Sequence, residues 1–195
     1  MSVEHTTQNQ SSFFRPIQLG VMEAAKAVWE LIGEEHAENF VVVGGEALLF
    51  HGSNIGTEDV YLAITAESMD KFCRLARNDP RLTEYPLNPW RHHTSGGFDV
   101  EIDFLDKLGG EYMLGIIQDH CRIQGVPVVT LADLALTKGY SWVQRENEKD
   151  LDGMRCVVTK MRSTGESFKW LEEDGMKLLK YIMRELECSE AVWKS

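Results

Sequence analysis

Long apolar runs, closely spaced cysteines and an excess of basic residues are all missing from this chain. No stretch approaches the roughly 20 consecutive apolar residues of a membrane span, so a soluble protein without a membrane partner is expected. Cys73, Cys121, Cys156 and Cys188 are scattered, with no C-x-x-C or similar ligand spacing. That argues against a disulfide frame or zinc site and for reduced thiols in a cytoplasmic setting. The N-terminal MSVEHTTQNQSSFF lacks a basic cap, an apolar run and a small-residue cleavage site; it reads as a disordered tail over residues 1–15 rather than a secretory signal. Lys and Arg number 20 against 31 Asp and Glu, a net charge of −11, and the resulting field repels phosphate backbones. Long nucleic acid is therefore not an expected partner. A single nucleotide is still compatible, because a magnesium ion neutralises most of its triphosphate charge. Gly-x-Ser-x-Gly, Walker and dinucleotide fingerprints are also absent.

What the chain does contain is a regular alternation of patterns. Apolar residues from Leu19 to Ile32 recur at three- and four-residue steps, predicting a helix from Pro16 to about Glu35. Phe40 to Val43 is a β-branched run stopped by Gly44-Gly45, after which Glu46 to His51 has the composition of a short helix closed by Gly52. Thr57 to Ile64 reads as a strand with Val60, Leu62 and Ile64 on one face and Asp59, Tyr61 and Ala63 on the other. Thr65 is placed to cap a helix from Ala66 to about Asn78. Trp90 to Thr94 and Phe98 to Leu105 flank Ser95-Gly96-Gly97 as a hairpin, Val126 to Val129 is a further strand, and Thr130 with Asp133 resembles a capping box opening a helix to about Val143. Helical spacing returns at Lys149 to Met161 and at Ser167 to Cys188. The expectation is an α/β (α+β) fold: a mixed sheet flanked by helices over residues 16–130, with a helical C-terminal part over 131–195 packed on that core.

The chemistry concentrates on the polar face of the Phe98 to Leu105 strand. Residues two apart on a strand stand about 6 to 7 Å apart, so Asp99, Glu101 and Asp103 form a row of three negative groups. Water, a basic partner, a raised pKa on one member, or a cation must answer that charge. Asp59 is a fourth acid, projecting from a strand that follows the Gly-Gly turn.

The stretch VVVGGEALLFHGSNIGTEDVYLAI resembles the signature of the nucleotidyltransferase superfamily: a hydrophobic strand, Gly-Gly, a short helix, a loop, and a strand bearing Asp-x-Asp or Asp-x-Glu. Thirteen residues, Glu46 to Glu58, separate Gly45 from Asp59, and EIDFL offers Asp103 for the third acid. LADLALTKGYSWVQRENEKDLDGM is similar to the helical segment that follows the catalytic half in small members, matching Lys138, Lys149 and Asp150. The likeness runs from about Asn39 to Met161. It implies a nucleotidyltransferase-like fold with a nucleoside triphosphate as substrate and Mg2+ as cofactor. It also implies Gly44, Gly45, Ser53 and Lys138 toward the nucleotide, Asp59 and Asp103 as metal ligands, and Asp59, Asp103 and Glu101 as catalytic carboxylates, with Tyr61 and Asp99 lining the site. The chain departs from the pattern at Tyr61, where the family carries its second acid; a phenol with a pKa near 10 is a poor magnesium ligand at neutral pH.

Three functions follow as alternatives. One is transfer of a nucleoside monophosphate to a small-molecule or protein acceptor. Another is a degenerate site that binds a ligand or partner without transfer. The third is metal-free acid-base chemistry on a small organic substrate. His92-His93 and His120-Cys121 read as surface or hydrogen-bonded groups rather than metal ligands, since strand neighbours point to opposite faces. His51 reads as closing its short helix, and Trp90, Trp142 and Trp170 as core residues.

Overall fold

The structure, a computed structural model, describes residues 15–54, 57–86, 90–105, 112–145 and 147–166, with 177, 180 and 184 as isolated positions. The expected tail, apart from Arg15, and nearly all of the expected helix from Ser167 to Cys188 lie outside the described residues.

α1, Pro16–Ile32, starts where the fixed φ of Pro16 suits the first turn and the Arg15 N–H donates to the Gln18 side chain at 2.8 Å. It stops earlier than the periodicity suggests. Gly33 takes φ +83° and its N–H caps the Trp29 carbonyl, after which Glu34–Asn39 forms a 3₁₀ turn. β1, Phe40–Val43, follows, then α2, Gly44–Phe50, β2, Asp59–Ile64, and α3, Ala66–Ala76, with the Thr65 hydroxyl accepting from the Ser68 N–H. β3, Leu82–Glu84, β4, Trp90–His93, and β5, Asp99–Leu105, form an antiparallel meander whose second turn is the expected hairpin, closed by Thr94 N–H to Phe98 O at 2.9 Å. α4, Tyr112–Ile116, β6, His120–Ile123, β7, Val126–Val129, α5, Leu131–Arg145, and α6, Glu148–Thr164, complete the described order. Thr130 caps α5 with one half of the expected box: the Asp133 N–H donates to the Thr130 hydroxyl, which donates to the Asp133 carboxylate at 3.0 Å, while the Thr130 N–H donates to the Asp119 carbonyl instead.

Among the described residues the strands form one seven-stranded mixed sheet in the order β3-β4-β5-β2-β1-β7-β6. β2 runs antiparallel to β1 and parallel to β5, and β1 runs parallel to β7. The α/β expectation of a mixed sheet flanked by helices is met, with β3, α4 and β6 added to the expected elements. α1 and α3 cover the face built by even-numbered residues of β1, β2, β4 and β5. Trp29 packs on Phe40 with ring centroids 5.4 Å apart, and Phe72 meets Trp90 edge-on at 5.2 Å and Phe104 at 5.0 Å. Truncating a fully buried aromatic such as Phe72 costs about 3–5 kcal/mol, so this face is where the sheet is held. α5 and α6 pack on each other and against α2, and their Leu131, Leu134, Met154 and Val157 belong to the same continuous core as the strands.

Candidate functional site

The parallel pairing of β2 with β5 decides which acids meet. Asp59 lies opposite Glu101 and Tyr61 opposite Asp103, so all four side chains share the odd-numbered face, away from α1 and α3. Along β2 this face grades from buried Ala63 to half-buried Tyr61 and Asp59 toward the strand's start. Asp59 and Asp103 thus stand one strand over and two residues along from each other. The phenol of Tyr61 sits between them in the register.

The chain enters this region through the Gly44 turn. Gly44 has φ +75°, a conformation that side chains rarely adopt. A Cβ there would stand 3.0 Å from the Glu46 carboxyl and 3.4 Å from Tyr61, and one on Gly45 would stand 2.9 Å from Thr57. Both glycines therefore answer an internal need, close approach of the turn to β2 and its preceding loop. Thr57 in turn donates its hydroxyl to the Asp59 carboxylate at 2.7 Å, which fixes that side chain's orientation.

Partners on β4 answer most of the acidic row. The His93 ring sits with Nδ1 2.5 Å from the Asp99 carboxylate, its Nε2 facing the Thr83 hydroxyl at 2.7 Å. Arg91 stands 3.6 Å from Glu101, with its guanidinium stacked 4.5 Å over the Tyr85 ring. The antiparallel register of β4 with β5 places Arg91 beside Glu101 and His93 beside Asp99, so Asp103 and Asp59 are left toward the glycine turn. Tyr61 is pushed up from the usual phenol range, first by burial and then by a hydrogen bond to Asp59 and the charges of Asp59, Asp103 and Glu46; it stays a neutral phenol at physiological pH.

Glu46 is a site residue that the sequence reading passed over. It is 0% exposed, its Oε1 accepts from the Tyr61 backbone N–H, and its Oε2 has no hydrogen-bond partner. Burial drives its pKa well above the carboxylate range, the charge of Asp59 adds to this, and Lys138 opposes it. The signal was there in a single charge inside GGEALLF, an otherwise apolar run. Arg91 and His93 were findable too, as basic residues two apart on a strand one turn away from an acidic row.

Other expected site residues fall in varied places. The charge of Lys138 is felt at Glu46, but its ammonium lies 3.4 Å from Asp150, which Arg145 meets at 2.9 Å. Lys149 is exposed and does not join them. Ser53 is nearly buried, with its hydroxyl 3.0 Å from the Cys156 thiol of α6. His51 closes α2 as expected, and its Nε2 bonds the Val129 carbonyl at 2.8 Å. His92 departs from expectation: it is fully buried on the α1 side and neither ring nitrogen has a hydrogen-bond partner, because the sheet pleat that exposes His93 turns its neighbour inward. Trp90 is core. Cys73, Cys121 and Cys156 are free thiols, and Cys188 and Trp170 lie outside the described residues.

Among the described residues no three His, Cys, Asp or Glu side chains cluster to form an all-protein metal cage. Asp59 and Asp103 would offer an ion two carboxylates. That suits one magnesium ion that takes the rest of its shell from phosphate oxygens and water, and it does not suit a fully ligated pair of ions. No described helix is long and apolar enough to cross a membrane.

No family model matches the chain, and no curated protein does. Among solved structures it is similar to the antibiotic-resistance factor ANT(2'')-Ia in solution, at 12% identity over 87% of this chain and 92% of that one, with a TM-score of 0.45. A crystal structure of ANT(2'')-Ia in complex with adenylyl-2''-tobramycin is similar at 13% identity, 84% and 99% coverage and a TM-score of 0.45. The Megavirus polyadenylate synthase matches at 11% identity over 89% of this chain and 43% of that one, with a TM-score of 0.43.

Proposed function

We propose that this chain binds a nucleoside triphosphate together with a single divalent cation in the cleft between β2, β5 and the Gly44 turn, and transfers the nucleoside monophosphate to a small-molecule acceptor. The observation that carries this reading is the placement of Asp59 and Asp103 on one face of adjacent parallel strands, beside a glycine turn, with their acidic neighbours already matched to Arg91 and His93.

In this reading Asp59 and Asp103 would hold the ion, which would supply positive charge against the triphosphate and the departing pyrophosphate. Thr57 keeps the Asp59 carboxylate aimed. The acceptor oxygen or nitrogen bonds to the α-phosphorus as the bond to the β-phosphate oxygen breaks, and the acceptor proton passes to Glu101, which faces Asp59 across the pair of strands. Lys138, whose charge is felt at Glu46, would add positive charge to the site.

The experiment is pyrophosphate release from each of the four magnesium nucleoside triphosphates, offered with mixtures of small hydroxyl and amine acceptors. Release that vanishes in Asp59→Ala supports the reading. No release, with no thermal stabilisation by any metal and nucleotide pair at millimolar levels, contradicts it.

Tyr61 favours a second reading, a module that binds its nucleotide or partner without transfer. Its phenol occupies the position facing Asp103 and lies close enough to Asp59 for that carboxylate to raise its pKa, so it stands where a cation would bind. Nucleotide binding without pyrophosphate release would favour this second reading.

A further inference from the structure

We propose that Glu46 is a positioning residue of the cleft, whose side chain ties the Gly44 turn to the backbone of Tyr61 and thereby sets where Asp59 stands. The inference rests on the reading of Asp59 as a cation ligand given above.

Three segments converge on one spot. Gly44, with φ +75°, brings the end of β1 into α2, and the point where its Cβ would stand lies 3.0 Å from Glu46 Oε2 and 3.4 Å from both Cβ and ring Cδ2 of Tyr61. The other carboxyl oxygen of Glu46 accepts from the Tyr61 N–H. Tyr61 pairs with Val43, the last residue of β1, so the ladder between β1 and β2 ends at this pair. From there the main chain of β1 turns away into α2, and Glu46 supplies an acceptor from the departing segment. Asp59 lies two residues before Tyr61 on the same face, so a shift of the Tyr61 backbone carries the carboxylate with it.

The arrangement is costly for a purely structural tie. A buried carboxyl with one unpartnered oxygen destabilises a fold, and an apolar side chain in this run would not. What it provides is a fixed distance between the turn and the strand. Misplacement of about 1 Å in such a site can reduce function by roughly 100-fold, and loss of a residue that orients a metal ligand commonly weakens metal binding by about 10–100-fold.

The test compares Glu46→Gln, which keeps an acceptor at the same reach, with Glu46→Asp, which is shorter by one methylene and cannot reach. Mn2+ binding in the presence of ATP, followed by electron paramagnetic resonance, is expected to stay within about threefold of wild type for Gln and to weaken by about tenfold or more for Asp. An Asp variant that binds like wild type, or a Gln variant that loses as much as Asp, overturns the proposal. Should the Asp variant not fold, amide hydrogen exchange at Tyr61 decides: slow exchange in wild type and Gln alike supports the tie, and fast exchange in folded wild type overturns it. Wild type that binds no Mn2+ with ATP removes the proposed function, while the Tyr61 amide still decides whether Glu46 holds the strand.

Discussion

Replacing Glu46 by Gln should change how stability depends on pH, in a direction fixed by burial. The ordinary carboxyl value is 4.5, and burial holds this one well above it in the folded protein. Above pH 4.5 the unfolded chain gives up a proton that the folded chain retains. The stability associated with this group is therefore complete below pH 4.5 and is lost as pH rises toward the folded-state value. One proton corresponds to a limiting slope of about 1.4 kcal/mol per pH unit. Gln carries no titrating proton, so its unfolding free energy minus that of wild type should rise with pH above 4.5, by at most about that amount per unit, until the folded-state value is reached. Any constant offset from the amide beside Gly44 drops out, as do other titrating groups common to both proteins. Urea denaturation of both proteins at pH 5, 6 and 7 measures the difference. Parallel pH profiles would refute the reasoning, because they would mean that Glu46 ionises normally and the carboxyl is not enclosed.

Further outcomes follow from the same geometry. His92 is held below the usual imidazole value of 6.5 by burial, opposed by Glu23, so its contribution is complete above pH 6.5 and lost as pH falls through its folded value. His92→Leu should flatten the acid side of the stability profile, seen as a smaller drop in denaturation midpoint between pH 6.5 and 5. Tyr61→Asp should strengthen Mg2+ binding by about tenfold, close to 1.4 kcal/mol, as measured by calorimetry; unchanged affinity would mean that the phenol does not weaken the site. Gly45→Ala should cost about 1–3 kcal/mol in urea, because its Cβ would stand 2.9 Å from that of Thr57.

The strongly patterned elements were legible in the sequence: β1 and β7 as unbroken apolar runs, β2 and β5 as strict alternations, α1 and α3 by helical spacing. β3 and β6 were not. Leu82–Glu84 is too short to show alternation, and His120–Ile123 at the sheet edge is polar on much of its surface. α4 likewise spans only Tyr112–Ile116. For the site, the face shared by Asp59 and Asp103 could be anticipated from the period of two. Its neutralisation could not, since that depends on the register that sets Arg91 beside Glu101 and His93 beside Asp99. Glu46 was missed because amphipathic spacing treats a charge in a short apolar helix as solvent-facing, whereas tertiary contact with Tyr61 encloses it.

Calorimetric titration of Mg2+ into protein saturated with ATP, for wild type and for Asp59→Asn and Asp103→Asn, tests the shared carboxylate site most directly. The account predicts one ion bound per chain in wild type and a loss of about tenfold or more in each variant. Binding that is absent in wild type, or unchanged when either aspartate is neutralised, would contradict it.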